Sequence, residues 1–224
     1  MSIIHLENVE VEYNGIHTVH ALKGVSLSIE KGEWITILGP SGSGKTTLLN
    51  IIGGMERSTS GEVRISDTEL AQLSDDHLQN FRRDKIGFIF QNYRLLEQFT
   101  VLENVMLPQW PYKPKKEIET RATEMLTQLG MIHRLHHLPG ELSGGEKQRT
   151  AIARAMVHSP EILLCDEPTG NLDRENRDNV LSCLNDLKQD GMTIILVTHD
   201  EEIASFGDQI LYLRDGILKE RIRT

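Results

Sequence analysis

Eight residues, Gly39-Pro40-Ser41-Gly42-Ser43-Gly44-Lys45-Thr46, constrain this chain more than any other part of it. They follow Trp34-Ile35-Thr36-Ile37-Leu38, a short and nearly continuous apolar run of the kind that forms a strand buried on both faces. After them, Thr46 to Ile52 reads as a helix. The pattern G-x-x-x-x-G-K-[ST] between a strand and a helix is a phosphate-binding loop. Its glycines let the backbone turn tightly and aim successive N–H groups inward as an anion nest, and the positive end of the helix adds to the same spot. Lys45 is placed to reach the β- and γ-phosphates of a nucleoside triphosphate, and the Thr46 hydroxyl to ligate Mg²⁺. Thr47 offers a further hydroxyl on the α-phosphate side.

The rest of the chain arranges itself around that unit. Ile4, Leu6, Val9 and Val11, then Leu22, Val25, Leu27 and Ile29, alternate with polar residues, the period-two mark of half-buried antiparallel strands. Thr59 to Ile65 returns to strand, and Ile86 to Phe90 is a further buried one. From Asn92 to His158 helical patterning takes over, broken by Pro108, Pro111 and Pro114; Lys115 to Leu129 reads as an amphipathic helix closed by Gly130. Strand character resumes at Ile162 to Asp166 and Thr193 to Thr198, and an Asp215-Gly216 turn predicts a closing hairpin. The expectation is an α/β fold: one domain over 1–224, with a nucleotide-binding core from about 1–91 and 159–224 and a helical insert from about 92–158.

A second chemical signal stands at the end of Ile162-Leu163-Leu164-Cys165-Asp166-Glu167. In an open parallel sheet, ligands gather at the carboxyl ends of strands. There Asp166 would hold Mg²⁺ through water, while Glu167, on the other side of the strand, would polarise a water for attack on the γ-phosphate.

Between these motifs lies Leu142-Ser143-Gly144-Gly145-Glu146-Lys147-Gln148-Arg149, and here the sequence resembles an ATP-binding-cassette (ABC) ATPase over essentially its whole length. Further marks follow in family order: Gln91 after a buried strand, Gly170-Asn171-Leu172-Asp173, and Thr198-His199-Asp200. Tyr13 lies 26 positions before Gly39, where the family places an aromatic that stacks on adenine. The resemblance implies a P-loop NTPase (RecA-like) core with an N-terminal antiparallel β subdomain and an inserted α-helical subdomain. It implies hydrolysis of ATP with Mg²⁺, with Glu167, His199 and Gln91 as catalytic groups and Thr46, Asp166 and Gln91 about the metal. It also implies two copies head to tail, each ATP gripped by Lys45 of one and by Ser143, Gly144, Gly145 and Glu146 of the other, with Asp173 near the junction. Ser143 and Glu146 form an S-x-x-E capping box, so a helix start there offers the bare N–H groups of Gly144 and Gly145 to an anion.

Charge and hydropathy say what is excluded. Lys and Arg number 24 against 33 Asp and Glu, a net charge of −9, which disfavours a nucleic-acid partner. No apolar run approaches the ~20 residues of a membrane-spanning helix, and the N-terminal MSIIHLENVE has no signal-peptide pattern. A membrane role therefore requires a separate permease, and places the chain on the cytoplasmic face of the membrane as a peripheral subunit. Cys165 and Cys183 predict no disulfide framework, although Cys165 beside Asp166 is expected to make the site sensitive to thiol reagents. His133, His136 and His137 lack the spacing of a zinc site.

Phe90 to Val105 and Thr169 to Asp173 look most like one ABC subgroup, which serves lipoprotein release, macrolide or antimicrobial-peptide export and resistance, and cell-division signalling. Tyr93, Leu95 and Leu96 would form an exposed patch for a permease helix. The competing readings are an importer ATPase, a soluble ABC ATPase of translation or DNA repair, and a nucleotide-gated binding module without turnover. Intact Asp166, Glu167 and His199 count against the last.

Overall fold

A computed structural model of the chain describes residues 2–220. In chain order the elements are β1 (Ser2–Tyr13), β2 (Val19–Glu30), β3 (Trp34–Leu38), α1 (Lys45–Ile52), β4 (Ser60–Ile65), β5 (Thr68–Glu69), α2 (Asp75–Lys85) and β6 (Ile86–Ile89). They continue with α3 (Val101–Met106), α4 (Lys115–Gln128), α5 (Gly144–Met156), β7 (Ile162–Asp166), α6 (Arg174–Gln189), β8 (Thr193–Thr198), α7 (Glu201–Ala204), β9 (Gln209–Arg214) and β10 (Ile217–Glu220).

Two sheets result, as the two kinds of patterning predict. The alternating strands make an antiparallel sheet ordered β2-β1-β4-β5, and the apolar runs make a sheet ordered β10-β9-β3-β8-β7-β6. In the second sheet β9, β3, β8, β7 and β6 run parallel, and β10 returns antiparallel across the Asp215-Gly216 turn, where both residues have positive φ (52° and 79°).

The parallel strands are buried on both faces and send alternate side chains to each. Ile35, Ile37, Leu164, Ile195 and Val197 join α1 and the antiparallel sheet in one core. Trp34, Leu163, Cys165, Ile194 and Leu196 join α5 and α6 in another. A third cluster, built from Val101, Val105, Ile118, Leu126 and their neighbours, lies within the helical insert. Helix α5 belongs to two of these cores: Ile152 and Met156 face the sheet, while Ala153 and Val157 face the insert. Whatever turns α5 therefore moves the insert against the sheet.

Helix α2 has no counterpart in the sequence expectation. It is an 11-residue polar element held by only two buried apolar side chains, Leu78 and Phe81. Its start is written locally: the Ser74 side chain accepts from the His77 N–H, and Asp75 and Asp76 occupy the first turn.

Candidate functional site

The order β3-β8-β7-β6 brings four carboxyl ends side by side. Leu38 pairs with Thr198, Val197 with Asp166, and Cys165 with Ile89. Gly39, His199, Asp166-Glu167 and Gln91 thus follow four adjacent strands in one row, spanning about 14 Å at ordinary strand spacing. Residues far apart in the chain share an edge because the sheet is parallel, which is what the strand-end argument required.

The phosphate loop leaves β3 through a passage that admits only glycine. A Cβ on Gly39 would lie 2.2 Å from the Leu213 carbonyl oxygen, and one on Gly44 would lie 2.5 Å from that of Ala21. Gly42 and Gly44 also take positive φ (76° and 102°). Helix α1 begins at Lys45, so the loop points at the unpaired N–H groups of its first turn. Lys45 is buried and folds back, its ammonium donating to the carbonyls of Gly39 (2.8 Å) and Pro40 (3.0 Å). Burial lowers the affinity of Lys45 for its proton, against the attraction of Glu167 and Asp166. The Ser43 hydroxyl is buried with no hydrogen-bond partner among the described residues.

Beside the loop is a cavity of about 390 Å³ lined by Tyr13, Gly42, Gly44, Lys45, Thr46 and Thr47, with Asp215 and Gly216 of the closing hairpin. Tyr13 comes from β1, and its hydroxyl lies 3.4 Å from that of Thr47. Sequence spacing alone had tied it to the loop; the structure puts both in one cavity.

The Thr46 hydroxyl donates to both oxygens of Asp166, at 3.1 and 3.3 Å. Burial raises the pKa of Asp166, and the like charge of Glu167 adds to this against the Thr46 bond. A divalent cation at that spot would relieve both costs. Among the described residues no group of three His, Cys, Asp or Glu side chains could hold a metal. One carboxylate and one hydroxyl suit an ion that keeps its waters and binds mainly to substrate phosphates, which is the habit of Mg²⁺.

Glu167 takes positive φ (46°) directly after β7, which turns its carboxylate out of the strand. Its Oε1 lies 3.0 Å from Nδ1 of the exposed His199. A Cβ on Gly170 would lie 3.5 Å from Glu167 Oε2 and 3.2 Å from Gln91 Nε2, so both groups flank that glycine. Cys165, one residue before this cluster, faces the opposite core with α5 and α6. It is fully buried, and burial pushes its thiol far above the usual range. The expected sensitivity of the site to thiol reagents is therefore corrected: the thiolate is suppressed and reagents do not reach it.

The second anion-seeking end is α5. Ser143 caps it in the expected box: the Ser143 side chain accepts from the Glu146 N–H, and Glu146 Oε2 accepts from the Ser143 N–H at 2.8 Å. Glu146 Oε1 accepts from Arg134 at 2.7 Å. Glu146 is buried and bonded internally, so it builds the helix start. Ser143 is exposed and Gly144 half-buried. Gly145 is pressed by the start of α6, since a Cβ there would lie 2.0 Å from Asn176 Oδ1. Asp173 caps α6 and accepts from both the backbone N–H and the side-chain amide of Asn176.

The exposed patch expected at Tyr93, Leu95 and Leu96 reduces to Leu96. Tyr93 and Leu95 are half-buried. A Cβ on Gly144 would lie 3.3 Å from the Tyr93 hydroxyl, so the tyrosine is spent on α5.

Two residues at this junction were missed from sequence. Asn176 had no signal beyond its spacing from Asp173. Arg154 had one: it stands alone in the apolar run Ala151-Ile152-Ala153-Arg154-Ala155-Met156-Val157. Its guanidinium donates to the carbonyls of Tyr93 (2.6 Å) and Arg94.

Comparison with known proteins agrees with this geometry. Residues 22–170 match the ABC transporter family. The uncharacterized ABC transporter ATP-binding protein MJ0796 of Methanocaldococcus jannaschii is 46% identical over 221 residues, covering 96% of this chain and 94% of that protein. The lipoprotein-releasing system ATP-binding protein LolD of Porphyromonas gingivalis is 44% identical, covering 96% of this chain and 98% of LolD. The macrolide export ATP-binding/permease protein MacB of Mannheimia succiniciproducens is 45% identical over 96% of this chain, which spans 34% of MacB. A dimeric, post-hydrolysis structure of the MJ0796 cassette bound to ADP and Pi superimposes with a TM-score of 0.89, at 42% identity over 99% of both chains. The chain belongs to the ABC transporter family as an ATP-binding cassette, and it is an ATPase.

Proposed function

We propose that this chain is the ATP-hydrolysing subunit of a membrane transport complex, working as two copies that close on ATP and reopen after hydrolysis. Each ATP lies between the phosphate loop of one copy (Gly39, Pro40, Ser41, Gly42, Ser43, Gly44, Lys45, Thr46 and Thr47, with Tyr13 under the base) and Ser143, Gly144 and Gly145 of the other. The dimeric MJ0796 cassette with ADP and Pi supports the pairing. Asp173, at the exposed start of α6, faces the junction.

Thr46 and Asp166 would hold Mg²⁺, which supplies charge neutralisation at the phosphates. Lys45 exchanges its carbonyl contacts for phosphate oxygens. Glu167 takes the proton of the attacking water, His199 holds Glu167 in place and meets the γ-phosphate, and Gln91 orients the water from the far side. The observation that carries this reading is the 3.0 Å contact of His199 Nδ1 with Glu167 Oε1, one residue beyond the Asp166–Thr46 bond. A binding module without turnover has no use for that pair.

The relatives named for macrolide export and lipoprotein release support a role beside a permease, on the cytoplasmic face of the membrane. Among the described residues no helix is long and apolar enough to cross a membrane. Residues 92–158 act as the unit that couples nucleotide state to the permease, with Leu96 in the exposed part of the contact.

The test is Glu167→Gln, which keeps the shape and removes the base. The variant is expected to bind ATP, stop turning it over and accumulate as a dimer in light scattering. A variant that stays monomeric at high concentration with ATP, or that hydrolyses at the parent rate, refutes the reading.

A further inference from the structure

Arg154 projects from the second half of α5 onto the chain just past Gln91. Its two terminal nitrogens donate to two successive carbonyls, that of Tyr93 at 2.6 Å and that of Arg94. Both of those residues sit in the left-handed region, with φ of 53° and 49°. That region is unfavourable for any L-residue other than glycine, so the bend persists only because something outside it holds it.

The fork has no other evident purpose. Among the described residues no carboxylate lies within ion-pair distance of Arg154. Burial, with the like charge of Arg94 beside it, pushes its guanidinium down to about 10. Arg94 itself stacks on the Phe90 ring at 3.9 Å. A half-buried cation met only by carbonyls is a costly way to fill a helix position, and an apolar side chain would serve stability better.

The same stretch is held at two further points. Asn171 donates to the Gln91 carbonyl at 3.1 Å, and the Tyr93 hydroxyl rests against Gly144 at the start of α5. The chain is thus held at the Gln91 carbonyl and again at Tyr93 and Arg94, and the second anchor is α5 itself.

We propose that Arg154 is a positioning residue that ties the chain after Gln91 to α5, so that the Gln91 amide and the Ser143-Gly144 end of that helix keep one fixed relation. The proposal rests on the reading of Gln91 as a group of the hydrolytic site. A cut tie leaves Lys45 and its loop untouched, so ATP still binds. What changes is the aim of Gln91 at the water.

A kinetic cycle tests it on the full chain: the parent, Arg154→Met, Gln91→Ala and the double variant, with circular dichroism to check folding. Arg154→Met is expected to lower kcat by about ten- to a hundredfold with little change in KM for ATP, a size typical of misplaced catalytic geometry. In the Gln91→Ala background the same change is expected to cost nothing more, because the group it positions is gone. A purely structural role predicts equal losses in both backgrounds, and that result overturns the proposal. So does a kcat within about twofold of the parent. Should Gln91→Ala itself leave kcat unchanged, the reading of Gln91 fails and the proposal with it; a slow Gln91→Ala beside a normal Arg154→Met sinks the proposal alone. If Arg154→Met does not fold, Arg154→Lys, which keeps the charge and loses the fork, carries the same cycle.

Discussion

Glu146 shows how one side chain holds the start of α5. Burial raises the cost of its charge, but the bonds from the Ser143 N–H and the Arg134 guanidinium outweigh that and hold its carboxyl down to about 2, from an ordinary 4.5. A carboxyl with a depressed folded pKa contributes stability that is complete above its unfolded value and is lost as pH falls through the folded one. The contribution of Glu146 is therefore present above pH 4.5 and disappears between there and about pH 2. Glu146→Gln keeps the capping pattern and drops the ion pair, so near neutral pH it is expected to lower unfolding stability by about 1–2 kcal/mol. The gap from the parent should narrow as the medium is acidified; urea titrations showing the same gap at about pH 3 and at neutral pH would refute the assignment. The S-x-x-E spacing made this cap readable from sequence. Arg134 was not readable, because it meets Glu146 through a turn whose path no local pattern encodes. Cys165 misled for a related reason: its neighbour Asp166 faces the loop, while the pleat sends Cys165 to the other core.

Among elements, the decisive contact is the start of α5 against the start of α6. Gly145 permits it, since any Cβ would run into the Asn176 amide. Asn176 in turn is held by Asp173, the cap of α6. The two helix ends form one junction, with the signature serine on one side and Asp173 on the other. Gly145→Ala is expected to cost about 1–3 kcal/mol, the usual range for overpacking. Asn176→Ala in the same chain should recover part of that loss, because it removes the obstacle. Thermal unfolding of the four combinations checks this, and strictly additive effects would mean the two residues do not meet. The strands and the helix boundaries near the loop were legible because their patterns are long or their turn chemistry is explicit. Helix α2 was not, because only Leu78 and Phe81 are buried and a two-residue stripe is too short to set a period. The row formed by Gly39, Asp166, Gln91 and His199 was legible only by assuming a parallel sheet. The strand order that makes them neighbours came from the structure.

For the whole molecule, the two anion-seeking helix ends, α1 at Lys45 and α5 at Gly144, each occur once among the described residues. A head-to-tail pair would give each nucleotide one end from either copy, an isologous two-fold contact in which each loop meets the other copy's helix end. This makes a prediction that no single-copy arrangement shares. Lys45→Ala removes the phosphate cradle, and Ser143→Arg blocks the helix end that faces the partner's nucleotide. Each variant alone has no intact site in its own dimer and is expected to hydrolyse almost no ATP. In a mixed dimer, one site combines both defects, while the other combines an intact Lys45 with an intact Ser143. Mixing the two inactive proteins should therefore restore hydrolysis, rising and then falling as their ratio passes through equality. A steady-state phosphate-release assay across that ratio reads it directly. If hydrolysis stays absent at every ratio while size-exclusion with ATP shows mixed dimers forming, the site is not shared between copies and the head-to-tail arrangement is wrong.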